Sequence, residues 1–172
     1  MCSYVRVIKR GRWPSEEEIK KEINIDNIQA RTIVQEMTMK GEQSCLSIWK
    51  LNEEKDIALA LISPNKNSLE KITILKIDEK ILTENGLTIS QEEGESVVQG
   101  LNNKHYDIIN MTYKNLGDFA NVIITALKND KNVLTISKRD IATYVNEAIK
   151  NKEIDINDLD ENFLRKVKEM TK

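Results

Sequence analysis

The run Cys45-Leu46-Ser47-Ile48-Trp49-Lys50-Leu51 alternates in polarity, and Ile72 to Ile77 is a second apolar run of strand length. Period-two alternation suits a pleated strand with one face buried. Between the two runs, Asn52-Glu53-Glu54 leads into Ile57, Ala58, Leu59 and Ala60, and Pro64 stands beyond. Acids at the positive end of a helix dipole and a proline past the other end mark one helix. Strand, helix and strand in that order predict a β-α-β unit near 44–77, a parallel pair with a right-handed crossover. A chain with such a unit must build a sheet and cover it with helices.

The flanking segments extend this reading. Met1 to Arg12 reads as a short strand or extended arm ended by Gly11, with the charges alternating as on a sheet edge. Ser15 and Glu18 have the spacing of a capping box for a helix running to about Ile23. Residues 26–40 read as a helix in their first half, with a hairpin through Lys40-Gly41 as the alternative. Residues 78–86 read either as one or two helical turns closed by a left-handed glycine or as an Asn-Gly hairpin. Residues 91–105 are polar and predict the longest loop. Phe119, Val122, Ile123, Ala126 and Leu127 then keep helical spacing, and Val133 to Ile136 is a short strand. Ser137 and Asp140 cap a helix bearing Ile141, Tyr144, Val145, Ala148 and Ile149, and a last helix starts near Asp160. The expectation is an α/β or α+β fold: a small mixed sheet of about four to five strands packed by helices, with a helical C-terminal third. The 172 residues suit a single domain, with 153–172 readable as a helical appendage. Two prolines and six glycines fit long regular elements.

Composition narrows the function. With 40% hydrophobic and 31% charged residues, and no apolar run near the ~20 residues of a membrane span, a soluble protein without a membrane partner is expected. Cys2 and Cys45 stand far apart and no secretory leader is visible, which points to reduced thiols in the cytoplasm. Twenty lysines against six arginines, with 23 isoleucines and 17 asparagines, fit an A/T-rich bacterial or phage genome.

Candidate sites are few. His105 is the only histidine, and Asp107 would share its face in a strand. A histidine base needs an orienting carboxylate and a nucleophile, and Cys45 is the one thiol at hand. The bland reading of His105-Tyr106-Asp107 is a junction whose polar groups are satisfied locally. One histidine and two scattered cysteines point to no zinc site, and no cofactor motif is present: no phosphate-binding Gly-rich loop, nucleophile elbow or His-Glu-x-x-His.

Charge is unevenly placed. Arg6, Lys9, Arg10 and Arg12 give residues 1–13 a charge of +4, whereas the whole chain carries −2. Cations interleaved with Tyr4 and Trp13 could follow a phosphate backbone and stack on bases, so nucleic acid is one candidate ligand. Ile136 to Val145 has the look of the first helix of a helix-turn-helix, but acids follow where a recognition helix needs cations. Those acids, Glu153, Asp155, Asp158, Asp160 and Glu161, form either a solvated, dipole-matched connection or a docking surface for a basic partner. The leading expectation is a small cytosolic bacterial protein that acts by protein–protein binding, as an inhibitor, immunity factor, antitoxin-like partner or regulatory adaptor. Nucleic-acid binding through the N-terminal arm and an enzyme site around His105 are the alternatives.

Overall fold

The computed structural model describes residues 3–21 and 45–172. The readings of residues 26–40 and of Cys2 lie outside the described residues. Six strands form one sheet: β1 (Ser3–Val7), β2 (Leu46–Trp49), β3 (Ile72–Asp78), β4 (Thr88–Gln91), β5 (His105–Ile109) and β6 (Val133–Ile136). Their order is β4-β5-β2-β1-β3-β6, and every neighbouring pair is antiparallel. The mixed α/β class and the helical C-terminal region agree with the sequence. The sheet has one strand more than expected and is antiparallel throughout.

The departure has one cause. β2, the helix α2 (Glu54–Ala60) and β3 do follow each other as strand, helix and strand. Both strands run antiparallel to β1, so they run parallel to each other, yet β1 lies between them. β1 is therefore the fourth of six strands and not an edge. Val5 faces Trp49 on one side and Lys76 on the other, and the pairing with β3 runs from Ser3–Asp78 to Val7–Ile74.

Alternation sends the side chains of these strands into two apolar layers. Val5, Trp49, Ile72, Ile74 and Ile136 pack on one face with α2, α6 (Lys138–Lys150) and α7 (Glu161–Met170). Tyr4, Ile8, Leu46, Ile48, Leu75, Ile77 and Ile108 pack on the other, against α5 (Tyr113–Leu127), Ile19 of α1 (Glu16–Lys20) and Leu82 of α3 (Glu79–Glu84). Burial on both faces explains why β3 reads as a continuous apolar run. Phe163 and Val167 of α7 sit in the same layer as Val145 and Ala148 of α6. Among the described residues, no helix is long and apolar enough to cross a membrane.

Local capping sets the helix ends. Ser15 and Glu18 form the expected capping box, and α1 ends at Lys20. The box of α5 is Thr112 with Asn115. Ser137 Oγ accepts from the Asp140 N–H and donates to its carboxylate. Asp160 accepts from the N–H groups of Asn162 and Phe163. Residues 78–86 take the helical alternative: Gly86 lies at φ 69°, and Leu87 N–H donates to Leu82 O, the pattern of a Schellman end. Within 91–105, the short helix α4 (Gln99–Asn102) interrupts the expected loop, and β4 and β5 flank it.

α6 ends in the same motif, with Glu153 N–H on Ala148 O, Lys152 N–H on Ile149 O, and Lys152 at φ 61°. A side chain in the left-handed region costs roughly 1–2 kcal/mol, which glycine avoids. The two ends thus give opposite signs. Gly86→Ala, where a new Cβ meets nothing within 4 Å, should lose about 1 kcal/mol of unfolding free energy. Lys152→Gly should gain up to about 1 kcal/mol, less the added freedom of the unfolded chain. Denaturant titration of both variants measures each sign.

Candidate functional site

His105 opens β5 opposite Trp49, and only 5% of its surface is exposed. The rings meet edge to face, with centroids 4.8 Å apart. Asp107, two residues on, points to the same face and pairs with Ser47 across the β2–β5 ladder. Ser47 Oγ lies 2.5 Å from His105 Nε2, and Asp107 Oδ1 lies 3.7 Å from the same nitrogen. The structure thus brings His105 and Asp107 together, as their spacing allows. Cys45, the thiol candidate, is buried just before β2, two residues ahead of Ser47.

The hydroxyl beside the histidine is Ser47, which the sequence reading passed over as an alternating strand position. Its arrangement differs from a catalytic relay in one respect. A relay places the carboxylate on one ring nitrogen and the hydroxyl on the other. Here both approach Nε2, so the ring cannot pass a proton from Ser47 to Asp107 through its two nitrogens. The loop after β4 also closes over the pair. A Cβ on Gly94 would stand 2.5 Å from Trp49 Cη2 and 3.0 Å from His105 Cβ. Gly94 N–H donates to Asn102 O, and Ser96 Oγ donates to Leu59 O within the interior. The three clefts lined by residues 97–100 with 153–158, by 7–12 with 66–73, and by 149–156 do not include Ser47, His105 or Asp107. The cluster ties β2 to β5 under this loop.

The basic arm divides. Arg6 turns beneath the sheet, donating to Ser47 O at 2.7 Å with its guanidinium carbon 5.6 Å from the centre of the Phe119 ring. Tyr4 and Trp13 are 2% and 4% exposed, so neither can stack on a base. Lys9, Arg10 and Arg12 remain at the surface, in the turn after β1, where Arg10 donates to Pro14 O at 2.6 Å. They line a cleft of about 460 Å³ with Lys66, Ser68, Glu70 and Lys71. The two lysines belong to the connection before β3, and nothing in the sequence pairs that connection with the arm.

The acidic run divides as well. Asp155 accepts from Asn157 N–H, Asp160 caps α7, and Glu153 lies 3.6 Å from Lys55. Asp158 and Glu161 are exposed. Two adjoining clefts of about 380 and 400 Å³ share Asp155. Val97, Val98, Glu153 and Asp158 line the first, Ile149, Lys152, Ile154 and Ile156 the second. Ile156 is 41% exposed there. Among the described residues, no group of three or more histidine, cysteine or acidic side chains is placed to hold a metal ion. Comparison of the chain with protein-family models, curated proteins and solved structures finds no match.

The closure at Gly94 makes a direct expectation. Gly94→Ala should cost about 1–3 kcal/mol, the range of an overpacked core. Combined with Trp49→Leu, which removes the ring atoms that the new methyl strikes, the loss should fall below the sum of the single changes. Denaturant midpoints of the two singles and the double test the coupling.

Proposed function

We propose that the protein is a binding module that docks a basic segment of another protein on the groove between residues 97–100 and 149–158. The observation that carries this reading is Ile156, exposed on the second cleft next to Asp155, the residue that the two clefts share. An apolar anchor at the centre of a patch supplies affinity, and charges around it steer the partner and set specificity. Val97 and Ile154 floor the groove while Glu153, Asp155 and Asp158 outnumber Lys152 around it, a balance that favours apolar contacts flanked by lysine or arginine. The wider setting of the proposal is the cytoplasm of a bacterium, where such a module would inhibit, neutralise or regulate its partner.

The Ser47–His105–Asp107 cluster favours this reading over an enzyme, because hydroxyl and carboxylate approach the same ring nitrogen and not the two a relay uses. The test is affinity purification of the tagged chain from its cell of origin, beside an Ile156→Asp, Asp158→Lys variant. Both positions are exposed, so the variant should melt at the wild-type temperature. The expected result is a stoichiometric protein that salt releases and that the variant fails to retain. In binding kinetics, the charge reversal should slow association about tenfold at low salt. Retention of the same protein by the folded variant at wild-type levels would overturn the proposal.

A further inference from the structure

We infer that the cleft between the turn after β1 and the connection before β3 binds a small phosphate-bearing molecule of nucleotide size. It is separate from the acidic groove and rests on different observations. Five cations line it, Lys9, Arg10, Arg12, Lys66 and Lys71, against one acid, Glu70. Three come from residues 9–12 and two from residues 66–71, and folding brings the two groups to one opening. The backbone clamp is Ile8 N–H on Thr73 O at 2.9 Å, next to the Val7–Ile74 pair.

Three of these cations are not spent on the protein's own acids. Among the described residues, no carboxylate lies within ion-pairing distance of Arg10, Lys66 or Lys71. Lys66 is half-buried, and its ammonium donates to Leu61 O at 3.2 Å, which leaves two donors for a ligand. Burial holds its pKa below the ordinary lysine value, and the charge of Glu70 acts in the opposite direction. A desolvated ammonium beside other cations is a cost that a bound anion removes. Arg10 uses one guanidinium nitrogen on Trp13 O and Pro14 O, so its other nitrogens are available to a phosphate.

Size and charge select the class of ligand. A volume of about 460 Å³ falls within the roughly 300–1,000 Å³ of small-molecule pockets. The cations converge on one opening and do not extend as a stripe. The charges lining the cleft sum to +4, so the remainder of the chain carries −6. A nucleic-acid strand longer than the cleft would run onto that remainder, whereas a compact polyphosphate would not.

Calorimetry with inorganic pyrophosphate on the full chain tests the inference, with sodium sulfate at matched ionic strength as the control and a single-stranded oligonucleotide as the competing class. The expected result is saturable 1:1 pyrophosphate binding. It should weaken at least tenfold in Lys66→Met, Lys71→Gln, which leaves the Arg10 bonds to the backbone intact. That variant should melt no lower than wild type, since it removes a desolvated charge and keeps the apolar stem of Lys66. Absence of saturable binding would overturn the inference, as would equal binding by the folded variant or by sulfate. Oligonucleotide binding tighter than pyrophosphate, with a steep salt dependence, would replace the small ligand with a strand.

Discussion

Five residues at the start of the chain hold the sheet together. β1 occupies the slot between β2 and β3, with Val5 on one apolar layer and Tyr4 on the other. Strands joined by a helix need not be neighbours, and here the gap left by the crossover is filled by a strand from outside the unit. The consequence is that the N-terminal segment cannot peel away to grip a ligand, since both neighbouring ladders would open and two hydrophobic layers would be exposed. It also fixes the turn at Arg10–Arg12 against the connection before β3, which is how cations distant in sequence come to share a cleft.

The polar cluster behind Trp49 follows from the same sheet. Burying Ser47, His105 and Asp107 contributes less to stability than apolar packing would, because the Ser47–His105 bond only replaces water and Asp107 Oδ1 is buried without a hydrogen-bond partner. What the cluster does provide is a penalty for mispairing. A one-residue slip of β5 would exchange its faces, carrying His105 and Asp107 into the layer that holds Leu46, Ile48 and Phe119. Tyr106 and Ile108 would then meet the loop at Gly94, where no Cβ fits. A buried His105 thus penalises a slipped register of β5, whatever else it does.

Much of this fold is legible in the sequence, and the illegible part has a physical pattern. The helix starts at Ser15, Ser137 and Asp160 are local events between residues two or three apart, so the chain states them directly. β3 is legible because both of its faces are buried. β4 and β5 are not, because three of the four residues of β4 are polar and His105 and Asp107 put polar groups on the covered face of β5. Partners across the sheet carry no local signal at all. Ser47 beside His105, and Lys66 and Lys71 beside Arg10, are neighbours by folding alone. Arg6 was misleading for a related reason: its long stem lets a cation lie under the sheet with its head on a backbone carbonyl.

A net charge of −2 conceals two surfaces of opposite sign. Charges separated by more than about 8 Å in physiological salt are largely screened from each other. Each surface then acts through its own side chains, and the acidic groove does not cancel the basic cleft. The average is informative only for a ligand large enough to touch both, which is repelled by one wherever it is attracted by the other. A compact anion at the cleft and a basic segment at the groove each meet mainly one sign, with Glu70 and Lys152 the single exceptions. Overall charge therefore argues against long polyelectrolytes on this protein while leaving room for two smaller, oppositely charged ligands.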